Sequence, residues 1–145
     1  MDESIPGGEC LCGKVKFSFP KADESAHCHC RFCQRAHGAA FVTWVVVAEA
    51  QFSFEAGEDH VRWFTSSQQS KRGFCPDCGS TMFFKSALCP GEIHVARANL
   101  TVDADLPVQC HCFIEQKAPW LTVNDDLKQL TGDSPELDKY KKIRP

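Results

Sequence analysis

The sequence predicts a mainly β domain, and three observations carry the prediction. Apolar and polar residues alternate in short runs, Gly- and Pro-bearing turn signals separate the runs, and helical periodicity is scarce. At 145 residues the chain has the length of one domain, enough to bury a core without disulfides. Hydrophobic residues at 43% and charged residues at 24% are ordinary for a globular chain and exclude the disordered and membrane classes.

The elements follow in chain order. Residues 14–19 alternate polar side chains with Val15, Phe17 and Phe19 and stop at Pro20, which describes a half-buried strand. Residues 30–37 are the helical candidate, a short turn directly after a cysteine cluster. Residues 41–47 are rich in β-branched and aromatic side chains and suit a buried strand. Residues 51–54 and 61–65 continue the pattern on either side of the turn at Ala56-Gly57-Glu58. Further strands are expected at 81–84, 92–96 and 108–115, punctuated by Pro90-Gly91 and Leu106-Pro107. After Gly132 the periodicity is lost, so the domain is expected to span residues 1–132, with 133–145 as a charged peripheral tail.

Lys and Arg total 16 against 19 Asp and Glu, and the net charge of -3 gives no global attraction to nucleic acid or anionic lipid. The one short basic stretch holds Lys139, Lys141, Lys142 and Arg144, and a solvated tail is its first reading. The first twenty residues lack the apolar core and cleavage site of a secretory signal, and no run reaches the length of a membrane span. A soluble, cytoplasmic protein with no membrane partner is the expectation.

In a reducing compartment, ten cysteines point to metal rather than to disulfides. Cys10-Leu11-Cys12 and Cys28-His29-Cys30 are spaced too tightly for relaxed disulfides, yet two thiolates from one turn readily take adjacent corners of a tetrahedron. Cys75-Pro76-Asp77-Cys78-Gly79 reads as a zinc knuckle, with Pro76 preset for the bend and Gly79 free to take positive φ. Cys10 and Cys12 offer the second pair for one closed site of four cysteines. Cys28, Cys30 and Cys33 supply three thiolates, the number an open, reactive zinc requires. A second closed site with His27, His29 or His37 as the fourth ligand is an alternative, as are thiols without metal. Cys110 and Cys112 fall on one face of an alternating strand, with His111 on the other, and burial is their simplest reading. Cys89 reads as a bystander in a loop.

The order Gly8-Glu9-Cys10-Leu11-Cys12-Gly13-Lys14-Val15, then Cys28-His29-Cys30-Arg31-Phe32-Cys33, then Arg72-Gly73-Phe74-Cys75-Pro76-Asp77-Cys78-Gly79-Ser80, resembles the glutathione-dependent formaldehyde-activating enzyme family, which includes centromere protein V. The late motifs His111-Cys112-Phe113 and Lys117-Ala118-Pro119-Trp120 extend the resemblance, with Cys112 standing where the family usually has isoleucine. The resemblance implies a β-tent of several coiled antiparallel sheets, similar to the small Rab-exchange-factor-like zinc proteins. It also implies two zinc ions, a structural one on Cys10, Cys12, Cys75 and Cys78 and a catalytic one on Cys28, Cys30 and Cys33.

The activity it implies is that of a carbon-sulfur lyase resembling S-(hydroxymethyl)glutathione synthase, with a small thiol such as glutathione as partner and formaldehyde as the second substrate. Candidate donors to a developing alkoxide are His29, His111 and Arg35. Lys117 and Trp120 are candidate pocket residues, with core packing the alternative for Trp120. The competing reading is a zinc-stabilised module that binds protein or nucleic acid without catalysis. Uncovered strand edges make a homodimer an expectation.

Overall fold

The computed structural model describes residues 4–142. Its strands are β1 (Gly7–Glu9), β2 (Lys16–Ser18), β3 (Glu24–Cys28), β4 (Val42–Ala48), β5 (Ser53–Ala56) and β6 (Arg62–Thr65). They continue as β7 (Ser70–Phe74), β8 (Thr81–Ser86), β9 (Glu92–Ala96), β10 (Leu100–Val102), β11 (Cys110–Cys112) and β12 (Lys128–Leu130). The expected helical segment forms α1 (Arg31–His37), between β3 and β4.

Two sheets result, a four-stranded one in the order β10-β1-β2-β5 and an eight-stranded one in the order β12-β11-β3-β4-β9-β8-β7-β6. Pairing is antiparallel except at one edge, where β11 lies parallel to both β3 and β12. That edge departs from an all-antiparallel arrangement, because β11 returns beside β3 only after a long crossover. The run predicted at 108–115 is correspondingly shorter as a strand, and Phe113 turns it with φ at 56° into a 3-10 turn at Ile114–Gln116.

The sequence of β4 shows why the larger sheet is buried on both faces. Val45 and Val47 point into a core shared by the two sheets, with Phe17, Phe19, Met82, Phe83 and Val95. Val42 and Trp44 point to the opposite face, into a second cluster with Cys28, Cys30, Cys33, Phe84, Cys112 and Phe113. A strand with a core on each side reads as a continuous apolar run rather than an alternation. Phe83 is fully buried and centres the first core, with Phe17, Phe52, Phe54 and Trp63 ring centroids 5.3–6.2 Å away.

Residues 133–142 do not simply trail into solvent. A 3-10 turn at Pro135–Tyr140 lays Leu137, 2% exposed, onto the second cluster, with Tyr140 half-buried beside it. No helix among the described residues is long and apolar enough to cross a membrane.

Candidate metal centres and the cavity beside them

Two tight turns bring the first four thiols together. In one, the Gly13 N–H donates to the Cys10 carbonyl at 3.0 Å; in the other, the Gly79 N–H donates to the Cys75 carbonyl at 2.8 Å. Gly13 and Gly79 take φ of 79° and 76°, the left-handed region in which a side chain is strained, as expected for Gly79. The Leu11 N–H donates to the Ser80 hydroxyl at 3.0 Å and an ion pair joins Lys14 to Asp77, so the two turns are also stitched to each other.

The Sγ atoms of Cys10, Cys12, Cys75 and Cys78 all lie within 4.8 Å of one another. Cys10 to Cys12 is 3.6 Å and Cys12 to Cys75 is 3.7 Å. Tetrahedral zinc with Zn–S bonds of about 2.3 Å sets its sulfurs about 3.8 Å apart, so the donor set fits that metal. Burial opposes ionisation of Cys78, but donation from the Ser80 hydroxyl and amide outweighs it and holds the thiol near pKa 5. Hydrogen bonds from the Val15 amide and the neighbouring thiols likewise overcome burial and lower Cys10.

The second group, Cys28, Cys30 and Cys33, is wholly buried, and its three Sγ atoms also lie within 4.8 Å of one another. Cys28 ends β3, while Cys30 caps α1 by accepting from the Cys33 N–H at 3.4 Å, so strand end and first helical turn converge on one point. No fourth Cys, His, Asp or Glu among the described residues joins the group. Negative charge collects on Cys33, held well below the ordinary thiol range by donation from Cys28 and Cys30 and by the nearby Lys142 and Arg72. Cys28 is pushed up by its hydrogen bonds to Cys30 and Cys33 and by burial. The cluster is suited to a soft divalent metal that keeps one position open.

Of the histidines named as alternative ligands, His27 and His29 hydrogen-bond elsewhere, while His37 keeps its Nε2 buried without a partner. His29 is fully buried, and its Nε2 lies 2.8 Å from His111 Nδ1, while His111 Nε2 lies 3.0 Å from both Asp125 carboxylate oxygens. Burial first, then His111, lowers His29 to about 4, so it is neutral at physiological pH. His27 bonds Thr43 at 2.8 Å, and His37 stacks edge-on against Trp44. The backbone of His29 is fixed too, its N–H donating to the Cys112 carbonyl at 2.9 Å and its carbonyl accepting from Gln34 Nε2 at 2.6 Å. His29 therefore acts on the loop that carries Cys28 and Cys30.

Beside the three thiols lies a cavity of 330 Å³ whose lining includes Cys28, Cys33, Trp44, Phe84, Phe113 and Lys142. His29 and Arg35 do not line it. Lys142 was grouped with the solvated tail, but its Nζ sits 4.7 Å from the Phe113 ring centroid and 5.4 Å from that of Phe84. Burial opposes its charge, but Cys28, Cys33 and Cys30 outweigh that and raise its pKa. No residue pattern in the tail announces this placement, which follows the packing of Leu137 and the ties of Lys139 and Tyr140 to Glu92.

Cys110 and Cys112 share one face, 3.8 Å apart at sulfur, and line the same cavity, while His111 turns to the other side as the alternation predicts. Donation from Cys112 lowers Cys110 to about 7. Cys89 joins Glu92 and His94 in a third compact group. Lys139 at 3.1 Å and Tyr140 at 3.3 Å already occupy the Glu92 carboxylate there. Trp120 is 73% exposed and plugs no core, and Lys117 donates to the Leu121 carbonyl at 2.6 Å.

A crystal structure of a Rhodobacter sphaeroides protein shares the fold with a TM-score of 0.55 and 23% identity, over 66% of this chain and 87% of that one. No curated protein matches the chain. The family description "Glutathione-dependent formaldehyde-activating enzyme" matches residues 5–116, which carry both thiol clusters and the His29–His111 pair. With most of its length covered by that match, the chain belongs to the glutathione-dependent formaldehyde-activating enzyme family.

Proposed function

We propose that the chain is a zinc enzyme making or breaking the carbon–sulfur bond of a thiol adduct, of the S-(hydroxymethyl)glutathione synthase type. One observation carries this reading: three buried thiols converge without a fourth protein ligand among the described residues, and two of them, Cys28 and Cys33, line a cavity. In this reading Cys10, Cys12, Cys75 and Cys78 hold a structural zinc and Cys28, Cys30 and Cys33 a catalytic one, in a β-tent fold and a reducing cytoplasm. Zinc at the second site supplies a positive charge that favours the thiolate form of an incoming thiol.

The remaining work belongs to the chain. Trp44, Phe84 and Phe113 give the cavity an apolar wall that fixes the approach of a small aldehyde. As the thiolate sulfur bonds to the carbonyl carbon, the π pair moves onto oxygen, which then takes a proton from solvent. The Lys142 ammonium is the fixed charge available to that oxygen or to a substrate carboxylate.

The test is zinc per chain on reduced protein before and after dialysis against millimolar glutathione. Two ions falling to one supports a closed site beside a thiol-accessible one. Two ions that both resist would indicate closed structural metals and favour a binding module. Cys30→Ser is expected to keep the fold by circular dichroism while losing one zinc and glutathione binding; unchanged glutathione affinity removes the catalytic reading.

A further inference from the structure

Four of the six arginines in the sequence, Arg31, Arg35, Arg62 and Arg72, line one cleft of 920 Å³ between α1 and strands β6 and β7. The chain as a whole carries a net charge of -3, yet no acidic residue lines this cleft. Among the described residues, none of the four arginines pairs with a carboxylate; the Arg31 guanidinium donates to the Gln34 amide oxygen at 2.6 Å. The cleft shares no lining residue with the cavity beside the three thiols.

Arg72 is the informative member. It is 3% exposed, and its Nη2 lies 3.5 Å from the Cys33 sulfur. Its Nε and Nη1 are buried without a hydrogen-bond partner. Phe84 and Trp44 flank the guanidinium carbon at 5.2 and 6.0 Å from their ring centroids, which holds the charge without satisfying those donors. A buried guanidinium with idle N–H groups is costly unless an acceptor completes it, and its planar fork matches carboxylate and phosphate oxygens. At the rim Phe64 is 65% exposed, beside Trp63, and presents a ring face to whatever enters.

We infer that this cleft binds a small ligand carrying at least two anionic groups, with a planar or apolar portion laid against Phe64. Its volume falls within the roughly 300–1,000 Å³ typical of small-molecule sites. Arg72 takes one anionic group at the floor, and Arg35 and Arg62 take the second nearer the mouth. The carboxylates of a peptide and the phosphates of a nucleotide share this chemistry. The inference goes beyond the proposed activity, since the ligand needs no thiol and reaches Arg72 from a separate opening.

The experiment titrates the full-length, metal-loaded protein with S-methylglutathione and, separately, with ADP, reading tryptophan fluorescence and heat. Neither probe has a free thiol, so loss of the carbon–sulfur chemistry and loss of this site are distinguishable. At least one probe is expected to bind with a submillimolar Kd that rises with salt and weakens about tenfold in Arg62→Ala or Arg35→Ala. Those variants should retain their zinc content and melting temperature. Binding of S-methylglutathione alone assigns peptide carboxylates, and binding of ADP alone assigns nucleotide phosphates. The inference is overturned if neither binds at millimolar concentration, or if the arginine variants bind as well as the parent. It is also overturned if a short oligothymidylate binds more tightly than both with the same arginine dependence, since the ligand would then be a nucleic-acid strand.

Discussion

Glu92 collects three partners on one carboxylate: His94 Nε2 at 2.9 Å, Lys139 Nζ at 3.1 Å and the Tyr140 hydroxyl at 3.3 Å. The hydrogen bond from His94 outweighs burial, Lys139 adds to it, and the pKa falls from 4.5 to about 2. A carboxylate lowered in the folded state stabilises it above the unfolded value of 4.5, and that stability is lost as pH falls towards 2. Glu92→Gln should therefore cost about 1 kcal/mol in urea unfolding at neutral pH, with the gap narrowing below pH 4.5. A gap that stays constant with pH would show that the carboxylate gains nothing from being charged there. At this scale the cysteine spacings were legible, because ligands two or three residues apart are placed by a single turn. Arg72 and Lys142 were not, since each meets the thiols from a distant part of the chain. The His29–His111 contact, across 82 positions, was equally invisible to any local pattern.

Among the elements, the 3-10 turn at Pro135–Tyr140 matters most for the cavity, since its Leu137 and Tyr140 form part of the cavity wall. Leu137→Asp removes about 2 kcal/mol of apolar burial. The turn is expected to undock, with faster amide exchange in residues 134–142 and stronger binding of a hydrophobic dye. Exchange as slow as in the parent would mean that other contacts hold the segment. The turn escaped sequence reading because a single leucine among charged residues makes no periodic pattern. β1 escaped for a different reason: Gly7 and Gly8 are poor strand formers, yet a Cβ on Gly8 would stand 2.1 Å from the Asn99 carbonyl oxygen. Close approach of β10 requires the glycine, so what reads as a loop is a strand selected by its neighbour. β4, with an apolar run broken only by Thr43, was legible to within one residue at each end.

For the molecule as a whole, the two sheets are joined by the shared core around Phe83 and by the four-thiol group, whose Cys12 and Cys75 lie 63 positions apart. A clip across that span removes on the order of 4 kcal/mol of denatured-chain entropy, by analogy with a covalent cross-link. If zinc fills this group as proposed, chelation should lower the melting temperature of the parent and of Cys30→Ser alike. Cys75→Ser should melt lower than Cys30→Ser even without chelator, since it loses the clip; equal melting points would show that the clip does not hold the sheets. The mainly β class and the thiol sets were readable because they follow from local periodicity and spacing. The parallel edge formed by β3, β11 and β12 was not, because pairing between distant strands leaves no local trace.

That long span also governs the order in which a growing chain can assemble. Cys10 and Cys12 are synthesised early, but their partners at Cys75 and Cys78 arrive only when the β7–β8 turn is made, and β1 gains β10 later still. A nascent chain ending before Cys75 carries Cys10 and Cys12 without their partner pair, and an incomplete small sheet. Completion of the four-thiol group and of the small sheet is therefore a late event in synthesis.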